Sequence, residues 1–137
     1  MGRILAIDYG KKRCGIAATD PLRIIASPLE TIKTEELISF IQKYAAREEV
    51  DIIVFGMPAD LRNQDTHITA EVRKTIDSFK SKFPGIKIES VDERFTSKIA
   101  FDTMIAGGLG KKKRAEKERL DKISAAVILQ SYLEQNS

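Results

Sequence analysis

Two short apolar stretches near the N-terminus decide the fold class: Arg3-Ile-Leu-Ala-Ile-Asp-Tyr-Gly10 and Arg13-Cys-Gly-Ile-Ala-Ala-Thr-Asp20. Only two lysines separate them, and the first stretch ends in a turn signal, so the pair predicts a β-hairpin. A third strand is predicted over 24–32, where Pro28 favours an edge position because proline donates no hydrogen bond. Three antiparallel strands are therefore expected at the start of the chain.

The rest of the sequence alternates between helical and strand patterns. Helical periodicity begins at Thr34, a good N-cap, whereas the continuous apolar run Asp51-Ile-Ile-Val-Phe-Gly56 is typical of a buried parallel strand. The later predicted elements are a helix over 68–83, a strand over 86–91, a short helix from Thr96 or Ser97 through Ala106, and a last helix from about Glu116. The order β-β-β-α-β-α-β-α predicts an α/β fold: a mixed five-stranded sheet with helices on both faces.

Length and composition suit one domain spanning residues 1–137. The chain has 42% apolar and 31% charged residues, and a domain of this length buries roughly two-thirds of its unfolded surface. Its single cysteine, Cys14, excludes a disulfide framework and indicates a reducing compartment. Neither a signal-peptide core nor an apolar stretch of about 18 residues is present, so the sequence predicts a cytoplasmic protein with no membrane partner.

The positive charge is concentrated in two clusters. The formal net charge is only +3, with a pI near 9.0. The first cluster is Lys11-Lys12-Arg13 in the predicted hairpin turn, and the second includes Lys111, Lys112, Lys113 and Arg114 after the glycine-rich stretch 107–110. Both clusters could also be solvated surface charge, as charge runs usually are. Their positions beside the acidic residues described next favour contacts with the phosphates of a polyanion.

Three carboxylates are candidates for a shared site. Asp8 and Glu93 lie at or just beyond the carboxyl ends of two predicted strands, where sites form in such sheets, and Asp121 lies near the start of the last helix. Three like charges held together are costly without a cation, and oxygen ligands suit Mg²⁺ or Mn²⁺. Such a metal site could hydrolyse phosphodiester bonds. Each residue also has a structural alternative: a turn at Asp8, a local ion pair at Glu93 and a helix-dipole contact at Asp121.

The motifs that carry these residues resemble the YqgF/RuvX family, whose members are described as pre-16S rRNA nucleases and as Holliday-junction-resolvase-like proteins. The resemblance covers almost the whole chain. Its motifs are Asp8-Tyr-Gly-Lys-Lys-Arg-Cys-Gly-Ile-Ala-Ala-Thr-Asp20, Gly56-Met-Pro58, Asp92-Glu-Arg-Phe-Thr96 with Ala100, and the basic stretch leading into Leu120-Asp121-Lys-Ile-Ser-Ala-Ala-Val-Ile-Leu129.

The resemblance implies a ribonuclease H-like fold and a cytoplasmic nuclease that processes the 5′ end of precursor 16S rRNA in ribosome biogenesis. It implies that the catalytic and metal-binding residues are Asp8, Glu93 and Asp121. Lys11, Lys12, Arg13, Arg94 and the residues 111–114 are then expected to bind nucleic acid. Mg²⁺ or Mn²⁺ is the expected cofactor, precursor 16S rRNA the expected partner, and a monomer or weak homodimer the expected state.

Two other functions remain open at this stage. Phosphate contacts do not by themselves distinguish RNA from DNA, so a resolvase acting on branched DNA is the nearest alternative. The other alternative is a non-catalytic RNA-binding factor in ribosome assembly, in which the basic residues carry the affinity. A phosphotransferase is a third alternative, but such enzymes have two lobes, and 137 residues do not suit a second lobe.

Overall fold

The computed structural model describes residues 2–57, 67–92 and 113–135, with the side chains of all of these except residues 67, 68, 92 and 113–121. Five strands and three α-helices are found in these ranges. They are β1 (Arg3–Asp8), β2 (Arg13–Thr19), β3 (Ala26–Lys33), α1 (Leu37–Arg47), β4 (Val50–Met57), α2 (His67–Lys82), β5 (Lys87–Asp92) and α3 (Lys113–Gln135). The short helix predicted before residue 107 lies outside the described residues.

The five strands form one mixed sheet in the order β3-β2-β1-β4-β5. β1, β2 and β3 pair antiparallel, while β1, β4 and β5 run parallel. The parallel strands end at one end of the sheet, called here the carboxyl end. The predicted mixed sheet is confirmed, and its central strand β1 delivers Asp8 to the carboxyl end.

The third strand begins later than the sequence predicts. Residues 20–25 form a loop in which the Asp20 carboxylate accepts hydrogen bonds from the backbone N–H groups of Ile24 and Ile25, each at 2.8 Å. Both hydrogen bonds lower the pKa of the Asp20 carboxyl, and the bond from Ile25 has the largest effect. Within β3, Ala17 of β2 pairs with Pro28 while Ile16 pairs with Glu30, so the strand bulges between these pairs. The bulge beside the proline fits the edge position predicted for this strand.

The first helix also begins differently. A 3₁₀ turn covers Thr34–Glu36 and α1 follows from Leu37, with no side-chain cap on either element. The prediction that Thr34 caps this helix is therefore wrong. Its hydroxyl instead donates to the carbonyl oxygen of Gly10, 2.6 Å away in the β1–β2 turn. A long-range contact has replaced the local one that the sequence favours.

The central strands β1, β2 and β4 are largely buried on both faces, whereas the edge strands β3 and β5 are mostly exposed or half-buried. One face packs on α1 and α2 through a core that includes Ile7, Ile16, Ile41, Phe55 and Phe79. The other face packs on α3 through a second core that includes Ile4, Ala6, Val54, Ala125 and Leu129. Because side chains alternate along a strand, successive residues of β1 enter the two cores in turn. No helix in the described ranges is long and apolar enough to span a membrane.

Candidate active site

Asp8 is the last residue of β1 and is half-buried. Ile4 and Ala6 belong to the core beneath α3, whereas Leu5 and Ile7 belong to the opposite core. The period of two along a strand therefore places Asp8 on the face covered by α3. The carboxylate is thus presented at the carboxyl end of the sheet, on the side over which the last helix passes.

Glycines occupy the positions beside Asp8 on both neighbouring strands. Gly15 of β2 pairs directly with Asp8. On the other side, Ile7 pairs with Phe55 in β4, which puts Gly56 level with Asp8. Since neither residue has a side chain, the neighbouring strands contribute only backbone next to the carboxylate. Both glycines are buried, so other parts of the chain cover the backbone beside Asp8.

The end of β5 lies two strands from Asp8. Met57 of β4 pairs with Asp92, and Gly56 pairs with Val91, which belongs to the core beneath α3. Glu93 follows this strand directly in the sequence. Glu93 and Arg94 lie outside the described residues, so their predicted roles stay predictions.

The direction in which α3 runs determines towards which end of the sheet Asp121 lies. Near its C-terminal end, Tyr132 lines a cavity with Ile4 and Ile52, at the end of the sheet where β1 and β4 begin. The Tyr132 hydroxyl also donates to the Glu89 carboxylate of β5. From there α3 packs across β1, β2 and β3. Its N-terminal half therefore extends away from the end of the sheet where β1 and β4 begin.

The dimensions of helix and strand bring residue 121 towards Asp8. Residue 121 precedes Tyr132 by eleven residues, which is about 16 Å along a helix. Asp8 follows Ile4 by four residues, which is about 13 Å along a strand, so the two lengths are similar. Residue 121 also precedes the buried Ala125 by one helical turn. The side chain of Asp121 is not among those described, and its predicted role stays a prediction.

The basic residues of the β1–β2 turn lie beside Asp8. Lys11 and Lys12 are exposed, and Arg13, the first residue of β2, is half-buried. Two hydrogen bonds from Thr34 stabilise this turn. Its backbone N–H donates to the carbonyl of Lys12 at 3.1 Å, and its hydroxyl donates to the carbonyl of Gly10. The turn is also tight, because a Cβ on Gly10 would lie 2.5 Å from the carbonyl oxygen of Arg13. The two lysines therefore project from a fixed backbone.

The second basic cluster is described only in part. Lys113 and Arg114 lie in the first turn of α3, so this helix begins earlier than the predicted Glu116. Their side chains are not among those described, and Lys111 and Lys112 lie outside the described residues. Their predicted contacts with nucleic acid stay predictions.

The donor set at Asp8 fits a hard cation only if other residues complete it. Among the side chains that the structure describes, no group of three metal-ligating residues lies together. Asp8 supplies one carboxylate, bordered by backbone, and both other predicted ligands lie beyond these side chains. A half-buried carboxylate at a strand end is the type of oxygen ligand that Mg²⁺ and Mn²⁺ accept. The described part of the site is therefore compatible with the predicted cofactor.

Sequence reasoning missed several residues of this region. Lys33 pairs with Arg13 across β2 and β3, and Thr34 holds the basic turn. The register of β2 with β3 depends on the bulge, which no local pattern indicates. The glycines beside Asp8 stood in two of the quoted motifs, but their position level with the carboxylate depends on strand pairing.

Comparison with known proteins places the chain in a family. The family model described as "RuvX: Holliday junction resolvase" matches residues 2–135. A protein of Flavobacterium psychrophilum named "Putative pre-16S rRNA nuclease" is 50% identical over 133 residues, covering 97% of each chain. A protein of Phocaeicola vulgatus with the same name is 49% identical over 134 residues, covering 98% of this chain and 96% of its own.

Solved structures show the same fold at low sequence identity. Thermus thermophilus RuvC in complex with a Holliday junction substrate superposes with a TM-score of 0.62 at 14% identity, over 100% of this chain and 98% of that one. This likeness confirms the predicted ribonuclease H-like fold. The nuclease prediction is confirmed at the level of the family, through the names that the relatives carry. With a family model matched from residue 2 to residue 135, the chain belongs to the RuvX family.

Proposed function

We propose that this chain is a metal-dependent nuclease of one domain that hydrolyses phosphodiester bonds of RNA in the cytoplasm, at the 5′ end of precursor 16S rRNA. The observation that carries the proposal is the position of Asp8: a half-buried carboxylate at the carboxyl end of the central strand, flanked by Gly15 and Gly56. The nuclease names of relatives at 49% and 50% identity support the same activity.

Asp8, Glu93 and Asp121 would hold Mg²⁺ or Mn²⁺. When bound, the metal would supply an activated water and stabilise the leaving oxygen. The direction of α3, which extends residue 121 towards the carboxyl end, supports the inclusion of Asp121. The position of Glu93, one residue beyond the end of β5, supports its inclusion as well.

The basic residues would orient the substrate. Lys11 and Lys12 are exposed on a turn held by two hydrogen bonds from Thr34, so they can contact phosphates on one side of the reacting bond. Arg94 and the residues 111–114 would contact further phosphates. These contacts position the backbone of the nucleic acid but do not read its sequence.

Cleavage of a labelled precursor 16S rRNA fragment tests the proposal. The wild type should cut the RNA with Mn²⁺ or Mg²⁺, and Asp8→Asn should lose this activity. Asp77→Asn is the matched control, because Asp77 is exposed on α2, beneath the other face of the sheet. Cleavage that persists in Asp8→Asn, or that Asp77→Asn abolishes equally, would contradict the assignment.

A four-way DNA junction in the same assay separates the alternatives. Preferred cleavage of the junction would favour a resolvase, the activity that the family description names. Such an enzyme cuts two strands and should be a two-fold dimer, whereas the proposed RNA nuclease is expected as a monomer or weak homodimer in sedimentation. Salt-dependent RNA binding without any cleavage would instead favour a non-catalytic assembly factor.

A further inference from the structure

An apolar loop and a cavity lie side by side at the end of the sheet where β1 and β4 begin. The loop is formed by residues 20–25, and together with the cavity it is called here the loop face. We propose that the loop face binds a second copy of the same chain, so that two copies associate as a weak two-fold homodimer. This inference concerns a part of the molecule remote from Asp8 and does not depend on the proposed nuclease activity.

The loop exposes three large apolar side chains within four residues. Leu22, Ile24 and Ile25 are 71%, 66% and 61% exposed. In the part of the chain that the structure describes, the only other large apolar side chain that is exposed is Leu29, at 39%. Single exposed apolar side chains are ordinary on a protein surface, whereas a contiguous group of them marks an interaction site.

Hydrogen bonds hold the loop in one conformation. The Asp20 carboxylate accepts two backbone N–H groups of the loop, and the Asp20 carbonyl accepts the N–H of Arg23 at 2.9 Å. The Arg23 guanidinium donates to the carbonyl of Gly2 at 3.0 Å and to the Asp51 carboxylate at 2.5 Å. These contacts hold Arg23 at a φ of 59°, which side chains disfavour. A loop fixed in this way loses little conformational entropy when a partner binds it.

The cavity beside the loop has largely apolar walls. Its volume is about 470 Å³, and its apolar lining comes from Ile4, Ile24, Ile52 and Leu133. Pockets of about 300–1,000 Å³ hold whole small molecules, so this cavity has room for a leucine or isoleucine side chain. The loop face therefore combines projecting apolar side chains with an apolar recess.

This combination favours a second copy of the chain as the occupant. A two-fold interface uses the same surface on both copies, so that surface must carry both a projection and a recess. On the loop face, Leu22 of each copy can enter the cavity of the other. The cavity is also lined by one cation and one carboxylate, Arg23 and Glu134, so two identical surfaces meet without an excess of like charge.

The available apolar area indicates a weak dimer. A fully exposed leucine or isoleucine side chain offers roughly 100 Å² of apolar surface, so the three loop side chains supply about 200 Å² per copy. A stable interface of standard size buries about 800 Å² per partner, of which the loop supplies about a quarter. With the cavity walls added, the interface stays at the lower end of the range, and we expect a Kd of about 10–500 μM.

The loop face leaves the candidate active site uncovered. Ile4 lines the cavity, and Asp8 follows it by four residues, which is about 13 Å along β1. A second copy seated at the loop face lies at the opposite end of the sheet from Asp8 and the β1–β2 turn. Each copy of the dimer can therefore bind its own nucleic acid.

Sedimentation equilibrium without nucleic acid, at protein concentrations up to about 1 mM, tests the interface. The apparent mass of the wild type should rise with concentration from 15.3 kDa towards twice that value. The double variant Leu22→Gln, Ile24→Gln should raise the Kd of the dimer at least about tenfold, because it removes apolar surface from both copies. Its melting temperature should match that of the wild type, since both side chains are exposed.

Leu29→Gln is the matched control, because it makes the same kind of change at an exposed apolar residue of β3 that does not line the cavity. It should dimerise like the wild type. A loss of dimer in Leu29→Gln as large as in the double variant would place the contact along the edge strand and overturn the proposal.

Methyl NMR spectra recorded over the same concentrations locate the contact. The methyl signals of Ile24, Ile25 and Ile52 should shift with concentration, whereas that of Ile41, in the core beneath α1, should not. A wild type that stays monomeric up to about 1 mM would overturn the proposal and assign the loop face to a different protein. Because no RNA enters these measurements, a failure of the proposed nuclease function would leave their result unchanged.

Discussion

Replacement of Thr34 by valine tests whether the β1–β2 turn must be held for RNA to bind. Valine has nearly the same shape as threonine but lacks the hydroxyl that donates to the carbonyl of Gly10 at 2.6 Å. The lost bond is half-buried and should lower the free energy of unfolding by about 1 kcal/mol. For a domain of this length, the melting temperature should fall by about 3–4 °C.

The same free energy limits the effect on binding. If the hydroxyl bond keeps the turn in its binding conformation, its loss can depopulate that conformation by no more than the energy of the bond. A loss of about 1 kcal/mol corresponds to a factor of about five, so Kd for the RNA fragment should rise by up to about fivefold. The rate of cleavage at saturating RNA should stay close to that of the wild type, because Thr34 lies outside the carboxylate set.

Two further variants make this experiment decisive. Thr34→Ser keeps the hydroxyl and should restore most of the RNA affinity. Thr75→Val removes a hydroxyl that bonds the carbonyl of Glu71 at 2.8 Å within α2, far from the turn, and should leave RNA affinity unchanged. The reasoning would be refuted if Thr34→Val bound RNA as tightly as the wild type, or if Thr34→Ser were equally defective.

Three other substitutions test separate parts of the structure. Tyr132→Phe removes a hydrogen bond that lowers the pKa of the Glu89 carboxyl, so it should destabilise the fold by about 1–2 kcal/mol at pH 7. The pKa of Glu89 is lower in the folded than in the unfolded protein, so its contribution to stability is complete above pH 4.5 and is lost as the pH falls through the folded pKa. Denaturant unfolding should therefore show a smaller difference in stability between Tyr132→Phe and the wild type at pH 3 than at pH 7. Arg23 has a φ of 59°, so Arg23→Gly should be more stable than Arg23→Ala by about 1 kcal/mol in thermal unfolding, although both lose the ion pair with Asp51; equal stabilities would contradict the strain argument. Gly10→Ala places a methyl group 2.5 Å from a backbone carbonyl oxygen, so it should cost about 1–3 kcal/mol and raise Kd for RNA, and unchanged unfolding and binding curves would show that the turn can adjust.

The sequence predicted what local patterns determine. The five strands, their order along the chain and the amphipathic helix α2 follow from apolar periodicity, and the structure moves their ends by at most two residues. The location of Asp8 at a strand end was predicted for the same reason. The family was recognised from four motifs, and the match over residues 2–135 confirms it.

Long-range pairing accounts for what the sequence did not predict. Threonine is a residue type that favours helix N-caps, but the Thr34 hydroxyl donates its hydrogen bond to the carbonyl of Gly10, 24 residues earlier. Lys33 acquires its position from the bulge in β3, which shifts the register of every later pair by one residue. A shift of this kind moves side chains to the opposite face, so no local pattern could have placed Lys33 beside Arg13.

The two ends of the sheet have different physical roles. At the end where β1 and β4 begin, charged groups are paired: Arg23 bonds Asp51 at 2.5 Å, and Tyr132 bonds Glu89. At the carboxyl end, the cations of the β1–β2 turn are exposed and glycines border Asp8. Pairing at the end where β1 and β4 begin adds to the stability that both apolar cores supply. The carboxyl end therefore carries a carboxylate and exposed lysines close together, an arrangement that suits contact with the phosphate backbone of a nucleic acid.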